Sequence, residues 1–407
     1  MLFPKTNNQR TDICLTWVAT SSYLVLVLVL FLPSYLSKMT APLTYPSLKC
    51  VLESLEANKR LRLSVRSSTI SRIDKTVPLH LSLLRFEDSE IKVNNITYKF
   101  SLDSSYARET KEENLRSLQK RLEDGDIILG TESVLRSFKV VHLTYSSRYG
   151  GFTKVLPEDV TKEMAMRQLA CSVLEGRKRV NVATLKIDNR LEKVLRIPKD
   201  LKLHVRSLRA YVNDLNGIVQ ILDPECFPLE SIETSLWFRS YLDNDVIQSA
   251  HKLILNGLTF NHSITQWYEI LLKLEKHRNV ETRNLCFSGK QVRAIIRKVV
   301  DNGHSIERTL DLKCSGKFDV SNLMRKIKNK FNGTLVVLQE SKNPQPVSDV
   351  VRVPMNSESE LIVYAFKVPE KKKNCSRNRL KLEVMPIGSS TPKVEKRRSL
   401  RILEWLK

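Results

Sequence analysis

The sequence predicts an α/β protein with a short helical module, a series of strand–helix units and a strand-rich C-terminal end. Three observations lead to this prediction. Apolar residues recur at helical spacing within residues 42–75, strand-like runs alternate with helical patterns from residue 180, and strand-like runs follow one another without helices after residue 334. Helices repeat every 3.6 residues and strands every two, so the two patterns can be distinguished.

The composition is that of a basic globular protein. The chain has 407 residues, of which 42% are hydrophobic, and its formal net charge is +23. This hydrophobic content is sufficient for a core, and the low content of Gly (12) and Pro (15) excludes collagen-like structure. No two of the seven cysteines lie within three residues of each other. This scatter excludes a CxxC pair and a disulfide scaffold, and it favours a reducing compartment.

Residues 1–38 are expected to be a hydrophobic leader or transmembrane segment. No charge occurs for 25 residues between Asp12 and Lys38, which is long enough for a helix that spans a bilayer. The most apolar stretch consists of Tyr23, Leu24, Val25, Leu26, Val27, Leu28, Val29, Leu30, Phe31 and Leu32. A cleaved signal peptide is disfavoured, because the best cleavage triplet is followed directly by Pro42.

The expected location depends on whether this leader is part of the working protein. Basic residues after the segment outnumber those before it, so the positive-inside rule places the C-terminal domain of a single-pass membrane protein in the cytosol. Translation from Met39 would instead give a soluble cytoplasmic or nuclear protein. The sequence is compatible with both the membrane-anchored and the soluble location.

Residues 41–75 are expected to form a helical module. Four apolar residues fall at positions i, i+3, i+4 and i+7 of a first helix, namely Leu48, Val51, Leu52 and Leu55. Pro46 suits the first turn of that helix. A second helix is expected around residues 58–67, where Leu61 and Val65 lie at helical spacing.

Residues 76–178 are expected to form an α+β connecting region. Apolar and polar residues alternate between 78 and 100, which predicts strands. The capping box of Thr110 and Glu113 predicts a helix that ends near residue 124. Another helix is expected to begin at Pro157 and to end at Gly176.

Residues 179–340 show a repeating pattern of strand-like runs, several of them separated by helical patterns. Strands are expected at VNVATLKI (180–187), LKLHVRSL (201–208), SLWF (235–238), HKLIL (251–255), RNLCF (283–287) and RTLDLKC (308–314). Its markers are Leu185, Leu208, Ile232, Leu253, Leu285 and Leu310. The intervals between them are 23, 24, 21, 32 and 25 residues, and most fall within the 20–29-residue period of leucine-rich repeats. We therefore predict degenerate leucine-rich-repeat-like units, with a non-repeating α/β layer as the alternative.

Residues 341–390 are expected to form a strand-rich end. Within it, residues 341–359 are predicted to be a loop, because Pro344, Pro346 and several serines interrupt any regular pattern. One strand-like run, TLVVLQ (334–339), lies just before this segment, and two lie within it, ELIVYAFKV (360–368) and LKLEVMPI (380–387).

Residues 391–407 form a basic tail. From Lys367 to Lys407 there are 13 basic and four acidic residues, a surplus that could contact nucleic-acid phosphates. Trp405 is the single aromatic residue of the last forty, so base stacking has little support and nucleic-acid binding is disfavoured. The sequence RRSLRILEWLK mixes basic and apolar residues and could alternatively lie on anionic lipid.

No local motif for catalysis is present. The chain lacks a phosphate-binding glycine loop with its lysine, a G-x-S-x-G elbow and an H-E-x-x-H pair. His80, His204 and His251 lie in strand-like runs, where structural or surface roles are expected. We therefore expect a protein that is not an enzyme and uses no cofactor, metal or small-molecule substrate.

The segment PLTYPSLKCVLESLEANKRLRLSVRSSTISRID resembles a divergent F-box. The stretch from about 41 to 390 is similar to a large nematode-expanded family of F-box-related proteins without an established activity. This similarity rests on the F-box-like segment together with DPECFPLESI (223–232), LILNGLTFNHSITQWYEILLKLE (253–275) and ELIVYAF (360–366). The resemblance implies a module that binds an adaptor of a ubiquitin-ligase complex and an α/β domain that recognises a protein substrate. It implies partner-binding roles for Pro42, Leu43, Pro46, Leu48, Leu52 and Leu55.

The leading hypothesis is therefore a non-enzymatic protein-interaction protein of the substrate-recognition adaptor type. One alternative is a single-pass membrane protein with a cytosolic binding domain, anchored through residues 13–37. The other is a nucleic-acid binder that uses the basic C-terminal tail.

Overall fold

The computed structural model describes most of the chain between residues 44 and 392. The described residues are 44–87, 89–102, 124, 126–128, 140–147, 150–155, 162–188, 194–211, 215–235, 243–256, 270, 274, 277–283, 287–303, 307–314, 319–337, 349–368, 377–389 and 391–392. The chain divides into two compact units, with the boundary between Leu55 and Glu56.

The described residues form eight α-helices and 18 strands. The helices are α1 (Tyr45–Ser54), α2 (Ala57–Arg66), α3 (Ser68–Thr76), α4 (Lys162–Leu174), α5 (Asn216–Val219), α6 (Asp245–Ser249), α7 (Gly289–Asn302) and α8 (Val320–Lys330). A 3₁₀ turn covers Pro224–Cys226. The strands are β1 (Leu79–Glu87), β2 (Glu90–Val93), β3 (Ile96–Leu102), β4 (Ile127–Ile128), β5 (Val140–Ser147), β6 (Gly150–Val155), β7 (Val180–Ile187), β8 (Val194–Leu195), β9 (Leu203–Ala210), β10 (Ser231–Ser235), β11 (Lys252–Asn256), β12 (Asn279–Arg283), β13 (Thr309–Lys313), β14 (Thr334–Val337), β15 (Val350–Pro354), β16 (Ser359–Val368), β17 (Arg377–Pro386) and β18 (Thr391–Pro392).

Helix α1 is the described element of the first unit. Pro46 lies in its first turn, as predicted, where the missing N–H has no helical partner to lose. Leu52 is fully buried, whereas Leu48 and Leu55 are half-buried and Pro46 is exposed. The spacing of these leucines therefore produces a helix with one buried position, as an amphipathic pattern requires.

Helices α2 and α3 begin at side-chain caps. The Glu56 carboxylate accepts a hydrogen bond from the Asn58 backbone N–H, and Ser67 Oγ accepts one from the Ile70 backbone N–H. Such caps satisfy backbone donors that lack a partner in the first turn. Helix α2 therefore agrees with the second helix predicted around residues 58–67, and α3 is an additional helix that was not predicted.

A buried ion cluster joins α2 and α3 to the C-terminal end of α4. Arg60 Nε donates to Asp74 Oδ1 at 2.6 Å, and Arg177 Nη2 donates to Asp74 Oδ2 at 2.6 Å. All three side chains are at most 2% exposed. Arg60 also donates to the carbonyl oxygens of Val77 and Pro78, just before β1. The cluster therefore fixes the helices to the entry of the sheet.

The central part of the main sheet is parallel and follows chain order. In the described residues this sheet has 16 strands, in the order β18-β14-β15-β16-β17-β13-β12-β11-β10-β9-β7-β1-β2-β3-β5-β6. Strands β1, β7, β9, β10, β11, β12 and β13 pair in parallel with their neighbours. The strands on either side of this section are antiparallel. The predicted mixed α/β fold, with N-terminal helices before a strand-rich region, is confirmed.

One row of register partners crosses the parallel section. It contains five of the six predicted markers, and its members are Leu84, Leu185, Leu208, Ile232, Leu253, Val280 and Leu310. All of them are at most 3% exposed and belong to the main hydrophobic core, together with α7 and α8. The sixth marker, Leu285, lies outside the described residues, and Val280 occupies the corresponding position.

Two strand predictions were displaced along the chain. The strand expected at 235–238 lies at Ser231–Ser235, and that expected at 283–287 lies at Asn279–Arg283. Each of these strands contains a single aliphatic residue, Ile232 or Val280, among polar ones, so the more apolar run that follows gave a stronger signal than the strand itself. The predicted loop at 341–359 was wrong in its second half, because Val350–Pro354 is β15 and pairs with β14 and β16.

Several predictions fall on residues that the structure does not describe. These are the hydrophobic segment 13–37, Pro42 and Leu43, the helix expected after Thr110 and the tail from 393 to 407. Among the described residues, no helix is both long enough and apolar enough to span a bilayer.

We predict that replacing Asp74 with Asn lowers the free energy of unfolding by about 3–5 kcal/mol, because two buried guanidinium groups lose their counter-charge. Burial raises the pKa of Asp74, but the hydrogen bonds and charges of Arg177 and Arg60 lower it further, so the net pKa lies below its usual value. The difference in the free energy of unfolding between the wild type and Asp74→Asn is therefore fully present above about pH 4. It disappears as the pH falls through the lowered pKa of Asp74. Urea denaturation of both proteins at several pH values measures this difference in the free energy of unfolding.

Asp124→Asn is the control, because the ion pair of Asp124 with Lys199 is exposed and surface pairs contribute little. Equal stability losses in both variants, or a difference that persists unchanged at low pH, would contradict the assignment.

Candidate functional site

The two faces of the parallel section differ in chemistry. Residues that pair across strands share a face, and adjacent residues point to opposite faces. The row Leu208–Ile232–Leu253–Val280–Leu310 faces the helices. The adjacent row lies on the opposite side and consists of Lys186, Arg209, Glu233, Ile254, Glu281, Asp311 and Lys381. We call this side of β7 to β17 the polar face.

Glu233 is the centre of a hydrogen-bond network on the polar face. Its carboxylate accepts hydrogen bonds from Arg283 Nη1 at 2.8 Å, from Asn256 Nδ2 at 3.4 Å and from the Tyr211 hydroxyl. Arg209 Nε lies 3.4 Å from the same carboxylate. Glu233 is 4% exposed, so its charge is stabilised almost entirely by these four side chains.

Glu281 on β12, two strands from Glu233 on β10, is the second centre of hydrogen bonds on the polar face. Its carboxylate receives hydrogen bonds from Arg283 Nε at 2.8 Å and Arg379 Nη1 at 3.3 Å, and Lys252 Nζ lies 2.7 Å from it. Arg379 Nε also donates to Asp311 Oδ1 at 2.6 Å. Arg283 bonds to both Glu233 and Glu281, so the two centres form one continuous network across β10 to β17.

The network shifts the pKa values of its members in different directions. Burial raises the pKa of Tyr211 to about 12, with a further contribution from its hydrogen bond to Glu233, so the phenol is a neutral donor at physiological pH. Burial opposes the charge of Glu281, but hydrogen bonds from Arg283 and Lys252 outweigh it and lower the pKa of that carboxyl to about 2. For Asp311, burial outweighs the charge of Arg379 and leaves the pKa raised.

A cleft of about 710 Å³ lies at the opening ends of the parallel strands β1, β7 and β9, and no residue of this network lines it. It is lined by side chains of both charges, by histidines and by an apolar turn, including His80, His204, Arg206, Glu225, Phe227, Glu230 and His251. Exposed ion pairs border it: Arg206 Nε lies 3.6 Å from Glu230 Oε2, with the two side chains 72% and 64% exposed. Such exposed pairs cost little to open, so they can be exchanged for contacts with a partner.

Part of the cleft has the spacing of a cation site. In the described part of the chain, His204, Asp223 and Glu225 bring one ligand atom each to within 4.8 Å of one another. However, Arg179 Nη2 lies 3.5 Å from His204 Nδ1 and 3.8 Å from Glu225 Oε2. A guanidinium therefore already balances the acidic charge, and these residues could hold a divalent cation only if Arg179 moved away.

The residues implied by the F-box resemblance lie apart from the polar face in the sequence. Of the six, the structure describes Pro46, Leu48, Leu52 and Leu55, all in or directly after α1. Sequence reasoning missed Glu233 and Glu281 entirely. The available signal was a glutamate at the third position of each five-residue strand, between residues that face the core.

Residues 162–316 match the model of a family described as a domain of unknown function (DUF3557). The matched region begins with α4 and ends just after β13, so it contains six of the parallel strands, most of the cleft lining and most of the polar face. No curated protein and no solved structure matches the chain.

We predict that Glu281→Gln lowers the free energy of unfolding by an amount on the order of 2 kcal/mol near neutral pH, because its pKa of about 2 lies well below the value of an unfolded glutamate. The stabilisation is complete above about pH 5, above the pKa of an unfolded glutamate, and is lost as the pH falls toward 2. Denaturant titrations of the wild type and the variant measure it.

Glu307→Gln is the matched control, since Glu307 is 70% exposed in its ion pair with Arg278. A Glu281→Gln protein as stable as this control at neutral pH would show that the network contributes nothing to folding.

Proposed function

We propose that this protein is a non-enzymatic interaction protein, whose polar face binds a protein partner and whose N-terminal helices dock an adaptor of a ubiquitin-ligase complex. The observation that carries the proposal is the polar face itself, a broad surface of ordered charges that is supported from behind by the main core. The partner-binding part rests on the geometry of the sheet. The adaptor part rests on the F-box resemblance.

A repeat-like sheet supports the first part of the proposal. Successive row members Leu185, Leu208, Ile232, Leu253, Val280 and Leu310 lie 23, 24, 21, 27 and 30 residues apart in the chain. Strands that add in chain order at such intervals are typical of leucine-rich-repeat-like arrays. In these arrays each unit contributes side chains to one extended binding surface. This geometry supports partner binding at the polar face and at the cleft, which opens at the ends of the same strands.

The charge distribution favours a protein over a nucleic acid as the partner. A phosphate-binding surface needs lysines and arginines without acidic partners. On the polar face, the basic side chains of Arg209, Lys252, Arg283 and Arg379 are each paired with a carboxylate. The net charge of +23 therefore does not reside on this surface, whose alternating signs suit a protein surface with complementary charges.

We predict that the double variant Arg206→Ala/Glu230→Ala loses a specific partner. Affinity purification of the full chain followed by quantitative mass spectrometry should show at least a tenfold lower recovery, which corresponds to about 1.4 kcal/mol of binding free energy. Removal of both residues leaves no unpaired charge, so folding should be preserved.

The double variant Arg278→Ala/Glu307→Ala is the matched control. This pair has the same composition and is similarly exposed, but it does not line the cleft. Identical recoveries from the wild type and both variants would argue against binding at the cleft.

The adaptor part of the proposal concerns α1. Leu48 and Leu55 are half-buried and Pro46 is exposed, so these side chains have surface that an adaptor can contact. Leu52 is fully buried within the chain and would support the helix from behind. The buried cluster of Arg60, Asp74 and Arg177 binds α2 and α3 to the sheet, so the test needs the full chain.

We predict that Leu48→Asp reduces binding of a purified F-box-binding adaptor to the full chain by at least tenfold, since a charge at a buried apolar contact costs more than about 1.4 kcal/mol. Glu53→Gln on the same helix is the control, because Glu53 is exposed. Isothermal titration calorimetry gives both affinities. Absence of adaptor binding by the wild type would refute this part and leave the polar-face proposal intact.

A further inference from the structure

Helices α7 and α8 carry a large excess of positive charge. Each contains four basic residues, and Asp301 at the end of α7 is the one acidic residue of the two helices. Their buried residues belong to the main core, so both helices lie on the side of the sheet opposite the polar face. We call their solvent side the basic surface, and its cations are Lys290, Arg293, Arg297, Arg325, Lys326 and Lys330.

These six cations have no carboxylate partner within the part of the chain that the structure describes. Arg325 Nη2 donates to the neutral Asn322 Oδ1 at 3.2 Å, and the other five side chains make neither an ion pair nor a hydrogen bond there. Five of the six are exposed, and Arg293 is half-buried. On the polar face, in contrast, the basic side chains are paired with carboxylates. The basic surface can therefore attract an anion without breaking an ion pair.

The cations form two stripes on parallel supports. On α7, Lys290, Arg293 and Arg297 lie at positions i, i+3 and i+7, which places them on one side of the helix over roughly 10 Å. On α8, Lys326 and Lys330 lie one turn apart.

The separation of the two stripes follows from the sheet. Helix α7 connects β12 to β13, and α8 packs on β15, three strands beyond β13. Strands lie about 4.8 Å apart, so the stripes are separated by roughly 15 Å. The major groove of duplex DNA is about 12 Å wide, so two such stripes can reach the phosphates on both sides of one groove.

The composition of the basic surface distinguishes among anionic partners. Helices α7 and α8 contain no aromatic residue, so the surface offers no stacking for unpaired bases. Among the described residues, the exposed large hydrophobic side chains lie on other elements, and they are Tyr45, Val65, Met164 and Ile387. Insertion into lipid therefore has no apolar side chain to use. Phosphates of a duplex need cations alone.

We propose that the basic surface of α7 and α8 binds the phosphate backbone of a double-stranded nucleic acid without reading its sequence. This site is separate from the protein-binding surfaces, because it lies on the other side of the sheet from the polar face. It also differs from the C-terminal tail, where the sequence placed the nucleic-acid alternative.

The test is fluorescence anisotropy of the full chain with a labelled DNA duplex of about 20 base pairs, at several salt concentrations. Binding at physiological salt should be micromolar and equal for duplexes of unrelated sequence. The affinity should fall roughly 100- to 1,000-fold between about 50 and 200 mM salt, as expected for about four to six phosphate contacts. An affinity that does not change with salt would overturn the proposal.

The double variant Arg297→Gln/Lys326→Gln should bind the duplex at least about tenfold more weakly, with a salt slope lower by about two. Both side chains are exposed, so folding should be preserved. Lys59→Gln/Arg72→Gln on α2 and α3 is the matched control, because it removes one lysine and one arginine from exposed positions. This control should bind the duplex as the wild type does.

Three results would overturn the proposal. Equal losses in the two double variants would show a general attraction to the net charge. A larger loss in Lys396→Gln/Arg397→Gln would place the binding in the tail. Binding of the wild type to vesicles of phosphatidylcholine and phosphatidylserine, but not to the duplex, would identify a lipid-binding surface.

Discussion

A slip of one residue in any central strand would exchange the two faces of the sheet at that strand, because successive side chains point in opposite directions. The row from Leu84 to Leu310 excludes such slips: each member is buried against the helices, and its neighbours in the chain occupy the other side. Placement of a single glutamate into the main core would cost several kcal/mol. The polar face depends on this register, since its residues are the opposite phase of the same strands.

The apolar half of this arrangement could be predicted from the sequence because its signal is local. Leu185, Leu208 and Leu253 each lie within an apolar run, and the intervals between the marker residues indicated a repeat. The prediction failed at Leu285 because Asn279–Arg283 has Val280 as its single aliphatic residue, whereas the next run is more apolar. It failed at Val350–Pro354 because nearby prolines suggested a loop, although prolines outside a strand do not prevent pairing.

The candidate site could not be predicted because its contacts are distant in the chain. Arg283 and Glu233 lie 50 residues apart, and Arg379 and Glu281 lie 98 residues apart. No pattern within one strand specifies which arginine reaches which glutamate. The same holds for Arg177 and Asp74, which are separated by 103 residues. This last contact also shows that α2 and α3 belong physically to the sheet domain, whereas α1 belongs to the other compact unit.

The internal pairing of charges on the polar face has a consequence for selectivity. A ligand that lands there must replace bonds that Glu233 and Glu281 already make, so general attraction between opposite charges provides little gain. A mismatched protein would leave Arg283 or Arg209 dehydrated and without a counter-ion, and that penalty rejects it. If the polar face binds the proposed partner, discrimination arises from the exclusion of wrong molecules, and the complex should depend only weakly on ionic strength.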